Sequence, residues 1–199
     1  MIKLIVGLGN PTEKYKNTRH NVGFWMINSL SSLNKINMSY DENFVGITGL
    51  TNSFNEENTV ILLKPQTFMN DSGLSIKLLA DKFNIKPEEI LVVHDEIHVS
   101  VGYCKLKFGG SSGGNNGLKS IIENIGDQFW RLRIGVGKPT KKDESILDYV
   151  LSCPLEEEIG HINHVIMDIN LNYVDLLLKD MESFQRIFHN KEKKTESVK

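Results

Sequence analysis

Cysteine is scarce in this chain. Two occur in 199 residues, Cys104 and Cys153, and they form no C-x-x-C pair. A disulfide-built scaffold and a cysteine zinc site are therefore excluded, and reduced thiols in a cytoplasmic protein are expected. Long hydrophobic runs are also absent, with nothing near the roughly 18 apolar residues of a membrane span. Before Gly7 stand one Lys and about five apolar residues, too few for a secretory signal. The opening stretch "IVGLGN" lacks the third glycine of a dinucleotide fingerprint. Polar residues separate Gly9 from the first helical periodicity, and residues 28–33 offer no acid for a ribose. No G-x-S-x-G elbow occurs, and neither cysteine has a glycine-rich or histidine-bearing neighbourhood, so a covalent nucleophile has no support.

What is present describes an ordinary globular chain. Apolar residues make up 40% and charged residues 24%, and the length suits one domain. The net charge of −2 hides an asymmetry. From Val101 to Lys142 there are eight Lys and Arg against Glu123 and Asp127, a local charge of +6 on a body of −8. A local basic surface of this kind suits a grip on a polyanion.

Strand and helix patterns alternate. "IKLIVGL", "FVGITGL", "TVILLK", "EILVVHD", "GYCKLKF" and "WRLRIGVGKP" read as strands. "VGFWMINSLSSL", with Asn21 as its cap, "SIKLLADKF" and "NGLKSIIENI" read as helices. The polar stretch from Thr51 to Asn58 reads as a hairpin connection. Leu155 to about Phe188 reads as one long amphipathic helix, and residues 190–199 as a charged, disordered tail. The expected fold class is α/β, a single domain over 1–189 with a central mixed β-sheet covered by helices on both faces.

Chemistry-bearing residues gather near strand ends. Asn10 follows the first strand, where open α/β sheets bind ligands. Arg19, His20 and Asn21 precede the first helix. His94, Asp95 and Glu96 close "ILVVHDE", where a carboxylate could orient an imidazole and stabilise its charged form. "HDEIH" is not a zinc-protease helix: on a strand its two histidines stand about 13 Å apart. "HINH" at 161–164 lacks a third ligand, so no metal is expected. "GGSSGGNNG" at 109–117 has five glycines in nine residues and leads into a helix, which favours anions and close backbone approach. Its Asn115 and Asn116 can hydrogen-bond an ester or amide. Phe68 and Asn70 sit before another helix. A histidine, a carboxylate and several amides beside a basic patch suit water-mediated hydrolysis of a neutral acyl bond on a polyanion.

Five motifs carry a resemblance: "IVGLGNPTEKYKNTRHNVGF", "KPQTFMNDSG", "ILVVHDE", "KLKFGGSSGGNNGLKSI" and "RLRIGVGKP". In this order they resemble the bacterial peptidyl-tRNA hydrolase family, from Met1 to about Phe188. The resemblance implies a monomeric α/β enzyme of the cytoplasm. It would cleave the ester between a peptide and the tRNA 3′ ribose, without metal, cofactor, membrane or obligate protein partner. It implies His20 as the base that activates water and Asp95 as the carboxylate that supports it. Asn10 would distinguish peptidyl from aminoacyl substrates, and Asn70 and Asn116 would bind peptide backbone or water. Tyr15 and Phe68 would line the site near the 3′ end. Lys105, Lys107 and Arg133, all inside the +6 segment, would clamp tRNA phosphate. One departure stands out: Asn115 and Ser112 occupy positions where histidine is common in the family. Asn115 is still expected to hydrogen-bond water or the substrate carbonyl. A non-catalytic RNA-binding relative on the same fold is the alternative, and the intact His20, Asn10 and Asp95 argue against it. The basic patch argues against an esterase for small substrates.

Overall fold

The computed structural model describes residues 1–51, 59–140, 143–174, 178 and 180–196. Seven strands form one mixed sheet in the order β2-β3-β4-β1-β5-β7-β6. They are β1 (Leu4–Gly7), β2 (Ser39–Asp41), β3 (Gly46–Thr51), β4 (Val60–Pro65), β5 (Ile90–Glu96), β6 (Cys104–Phe108) and β7 (Trp130–Gly135). The central strands β4, β1, β5 and β7 run parallel, and the outer ones pair antiparallel. The expected α/β class with a mixed sheet is therefore the observed one. The pairing of Thr51 with Val60 matches a hairpin, whose connection at 52–58 lies outside the described residues.

Side-chain alternation along β1 sorts the core into two layers. Ile5 faces α1 (Val22–Leu33) and α5 (Glu156–Asp168), where Met26, Ile27, Leu30, Ile162 and Ile166 bury. Leu4 and Val6 face α2 (Ser72–Phe83) and α3 (Asn116–Ile125), where Ile76, Leu79, Leu118 and Ile121 bury. Strands buried on both faces need continuous apolar sequence, which is why the β1 and β5 runs stood out.

Four readings change. Ser39–Asp41 forms a strand without an apolar alternation, because it only borders β3 at the sheet's exposed edge. A short helix α4 (Ile146–Val150) follows Ser145, whose Oγ accepts the Asp148 N–H at 3.0 Å. The long C-terminal helix is interrupted. α5 ends at Asp168 and widens into a π-helical turn at Ile169–Tyr173. A separate helix α6 (Met181–Glu196) then begins at Asp180, whose Oδ1 accepts the Ser183 N–H. A capping carboxylate at Asp180 thus starts a helix inside what the apolar periodicity joined into one. Helical backbone also continues through 190–196, in the stretch expected as a tail; Lys and Glu are good helix formers. No described helix is long and apolar enough to cross a membrane.

Candidate active site

The site lies at the carboxyl ends of β1 and β5. α1 comes unusually close to the sheet there. A Cβ on Gly23 would collide with the Leu8 N and the Val93 O, and one on Gly7 with the Gly23 O. The opening glycines thus serve helix–strand contact and not a phosphate. The short 3₁₀ turn Arg19–Asn21 leads into α1 and sets its side chains beside the end of β5. Asn21 does not cap α1. Its amide instead brackets the backbone of Asn10, accepting from its N–H and donating to its C=O, both at 2.9 Å.

His20 and Asp95, 75 residues apart, meet here. His20 Nδ1 lies 2.9 Å from both Asp95 carboxylate oxygens, and both residues are buried. Burial pulls the His20 pKa down, but the Asp95 charge and hydrogen bond outweigh it, and the net direction is up. Burial pushes Asp95 up, but the His20 imidazolium and its hydrogen bond hold it below the usual carboxylate range. Among the described residues His20 Nε2 has no hydrogen-bond partner, and His20 lines a cavity of about 330 Å³ together with Asp95, Asn115, Asn116, Ile146 and Leu147 among others.

His94 borders the same cavity but differs in kind. Its Nδ1 donates to the Asp95 backbone C=O at 2.7 Å, which fixes the neutral tautomer, and its Nε2 is sealed from solvent without a partner. Burial drives its pKa down. A ring that is neutral and sealed cannot reach a water, so of the two histidines only His20 is placed to act as a base.

Asn115 has a double role. Its Oδ1 caps α3 by accepting the Leu118 N–H at 3.1 Å, and its Nδ2 donates to Asp95 Oδ1 at 3.3 Å. Asn115 also lines the His20 cavity, and its amide keeps a second N–H and a second lone pair beyond these two bonds. Asn116, the first residue of α3, also lines the cavity. Asn10 does not line this cavity. Its Oδ1 accepts the Met69 N–H at 2.9 Å, and it borders a second cavity on the β4 side. Phe68 and Asn70 flank Met69 and are exposed. Tyr15 sits in the loop after Asn10, with Lys14 Nζ 5.3 Å from its ring centre.

On the other flank, Lys105 stands opposite Arg133, and Lys107 opposite Arg131, across β6 and β7. Arg133 is not a bare cation: its Nε and Nη2 reach Glu96 Oε2 at 2.9 and 2.8 Å. Burial raises the Glu96 pKa, but the His98 N–H and Arg133 overcome it and hold the carboxyl low.

Two buried arginines escaped the sequence reading as site builders. Arg19 donates through Nη1 to Tyr149 O, Ser152 Oγ and Cys153 O, and through Nη2 to Glu158 Oε2 at 2.7 Å. It fastens α4, and with it the apolar wall of Ile146 and Leu147, onto the His20 turn. Arg131 bonds the carbonyls of Gly110 and Ser111 and so anchors the glycine-rich loop, in which Gly109, Gly110, Gly113 and Gly114 adopt positive φ. No local motif marks either arginine, because every partner is distant in sequence. α4 had a signal, the S-x-x-D spacing of Ser145 and Asp148.

An open α/β sheet, an imidazole–carboxylate pair at its carboxyl edge and a basic flank place the chain among α/β hydrolytic enzymes. Comparison with known proteins narrows this. The family model described as peptidyl-tRNA hydrolase matches residues 4–196. A peptidyl-tRNA hydrolase of Variovorax paradoxus is 46% identical over 190 residues, covering 95% of this chain and 89% of the relative. One of Vesicomyosocius okutanii is 44% identical over 189 residues, covering 91% and 96%. The crystal structure of the peptidyl-tRNA hydrolase from Acinetobacter baumannii superposes with a TM-score of 0.84 at 40% identity, over 90% of each chain. The chain belongs to the peptidyl-tRNA hydrolase family.

Proposed function

We propose that His20 is the general base with which this chain hydrolyses peptidyl-tRNA, the reaction of its family, freeing tRNA for reuse in translation. The observation that carries this reading is the His20–Asp95 pair, with Nδ1 held at 2.9 Å by both carboxylate oxygens and His20 lining the cavity. A water beside Nε2 gives up a proton as its oxygen attacks the ester carbonyl. Asp95 stabilises the resulting imidazolium. The oxyanion of the tetrahedral intermediate meets the Asn116 amide and the backbone N–H groups at the start of α3. As the C–O bond breaks, the imidazolium returns the proton to the departing ribose 3′ oxygen. Asn10, Asn70, Tyr15 and Phe68 shape the substrate side, Asn115 holds Asp95, and Lys105, Lys107 and Arg133 contact tRNA phosphates. Both cysteines are free thiols, which supports a reducing cytoplasmic setting, and the enzyme acts as a monomer.

Hydrolysis of N-acetyl-aminoacyl-tRNA at saturating substrate tests this. His20→Ala is expected to lose about 10²–10⁴-fold in kcat while still binding tRNA. Turnover near that of the parent enzyme would remove His20 from the reaction.

A further inference from the structure

His94 takes no part in the proton transfers of His20, yet it is 2% exposed and borders the same cavity. We propose that His94 is a positioning residue for the reaction: its imidazole stands in for a neighbouring strand at the Asp95 carbonyl and so holds the Asp95 carboxylate against His20. The inference rests on the reading of His20 as the base.

The strand ends create the need. β1 stops beside β5 at the Gly7–Val93 pair, while β5 and β7 stay paired as far as Glu96 and Gly135. β5 therefore overhangs β1 through His94, Asp95 and Glu96. Backbone groups along a strand point to its two neighbours in turn. The Val93 C=O takes the Leu8 N–H on the β1 side at 2.9 Å, and the Glu96 C=O takes the Val136 N–H on the β7 side at 3.1 Å. The Asp95 C=O, two residues past Val93, thus points to the β1 side, where β1 has already ended. His94 Nδ1 donates to it at 2.7 Å. A buried carbonyl left without a donor would draw in water or turn toward another partner. Asp95's own N–H is among the groups that keep its carboxylate ionised, so the side chain depends on how its backbone is held.

The second ring nitrogen shows that the imidazole serves this one bond. His94 Nε2 is buried and has no partner among the described residues. A histidine that bound substrate or carried a proton in turnover would engage that atom. The charged groups that act on His94 are Asp95 and Glu96 on its own strand and Arg133, opposite it on β7. α3 and the loop before it bring only Ser112, two glycines and the Asn115 and Asn116 amides to this cavity, and α4 brings Ile146, Leu147 and Val150. Neutrality matters here. A cationic donor at the Asp95 carbonyl would compete with His20 for the carboxylate charge, whereas a neutral imidazole supplies the N–H and leaves that charge to His20.

The test replaces His94 by Asn, Gln and Ala. It follows the His20 imidazole titration by NMR in the free enzyme, and the pH profile of kcat/KM on N-acetyl-aminoacyl-tRNA. Asn carries its amide N–H close to where Nδ1 stands, and Gln close to Nε2. His94→Ala and His94→Gln are expected to lower kcat about tenfold, the scale of one hydrogen bond, and to move the titration and the acid limb to lower pH. His94→Asn should stay within about threefold of the parent, with the limb in place. KM and the salt slope of tRNA affinity should hold in all three. On an Asp95→Asn background no carboxylate remains to be held, so His94→Ala should cost less than about twofold. Rescue by Gln and not by Asn would overturn the proposal, because it would assign the work to Nε2. So would a lowered rate with the titration unmoved, which marks a structural loss alone, or a changed salt slope, which moves His94 to the phosphate side. Asn and Gln both fill the site, so their comparison decides even where His94→Ala does not fold. Retained turnover in His20→Ala would instead overturn the reading of the base, while the NMR titration would still report on the His94 bond.

Discussion

Asp95→Asn is the sharpest probe of the buried pair. The substitution conserves volume but removes the charge and replaces one acceptor by a donor. In the parent, the two carboxylate oxygens serve His20 Nδ1, and one of them also receives Asn115 Nδ2 at 3.3 Å. The new amide has a single acceptor for both donors, and its NH₂ must face one of them. A hydrogen bond to a charged group contributes about 1.5–3 kcal/mol, so kcat should fall about 10-fold to 150-fold at pH above the imidazole range. The pH dependence moves the other way. The proposed base, His20, acts only as neutral imidazole, and Asp95 raises its pKa against the opposing effect of burial. Without the carboxylate, burial acts unopposed, so the acid limb of kcat/KM should shift to lower pH even as the plateau drops.

Stability follows the same linkage. The raised His20 pKa contributes fully below the ordinary imidazole value of about 6.5 and is lost as pH rises through the folded-state value. The lowered Asp95 pKa contributes above about 3.9 and is lost as pH falls through its folded-state value. The Tm difference between parent and Asp95→Asn should therefore be widest near pH 5–6 and shrink toward pH 9. Rate profiles on N-acetyl-aminoacyl-tRNA from pH 5 to 9, with thermal melts across the same range, measure both. An acid limb that stays in place or moves up would refute the assigned pairing.

On the β6–β7 flank proposed to meet tRNA phosphate, Lys105→Ala should lower the salt slope of tRNA affinity by about one without changing kcat. Arg133→Ala should do the same and also destabilise the fold, since it strands the Glu96 carboxylate; an unchanged slope in both variants would put the clamp elsewhere. At Asn115, Ala removes both the α3 cap and the donor to Asp95, costing about 1 kcal/mol or a Tm drop of about 2–4 °C, whereas Asp keeps the cap and sets a carboxylate against Asp95. Asn115→Asp should accordingly raise the acid limb while Asn115→Ala leaves it near its place, and equal profiles would separate Asn115 from the pair.

Local pattern carried much of this architecture. The β1 and β5 runs, the three apolar helices and the loop at 109–117 were visible because burial on both faces, helical period and glycine density are properties of neighbouring residues. His20 was visible as a type before the first helix and Asp95 as one at a strand end, although only the fold brings them within 2.9 Å. What stayed hidden depends on distant partners. Arg19 reads as one more basic residue until Tyr149, Ser152, Cys153 and Glu158 surround it, and Arg131 until it meets Gly110 and Ser111. Asn115 was legible as an amide in a glycine-rich loop; its cap on α3 and its contact with Asp95 arise only when α3 docks beside β5. The break in the C-terminal helix was written locally, in Asp180 and Ser183, but the apolar recurrence on both sides masked it.

The spacing of the His20–Asp95 pair is decided away from both residues. His20 stands three residues before Gly23, and Asp95 two residues after Val93. Gly23 packs directly on the backbone at Leu8 and Val93, with no space for even one methyl group. This contact fixes how deeply the start of α1 sinks toward the end of β5. Leu8 N–H also bonds the Val93 C=O at 2.9 Å, so β1 and β5 are tied at the level where the helix presses on them. A hydrogen bond held at 2.9 Å weakens steeply with added distance, whereas a packed core shifts in steps set by whole atoms. An imidazole and a carboxylate on unconnected elements can hold this geometry because bare backbone, and not adjustable side chains, separates those elements. Asn21 extends the same rigidity to Asn10 by bonding backbone on both sides. Gly7, which first suggests a phosphate site, and Gly23, which it meets, thus hold His20 in register with Asp95.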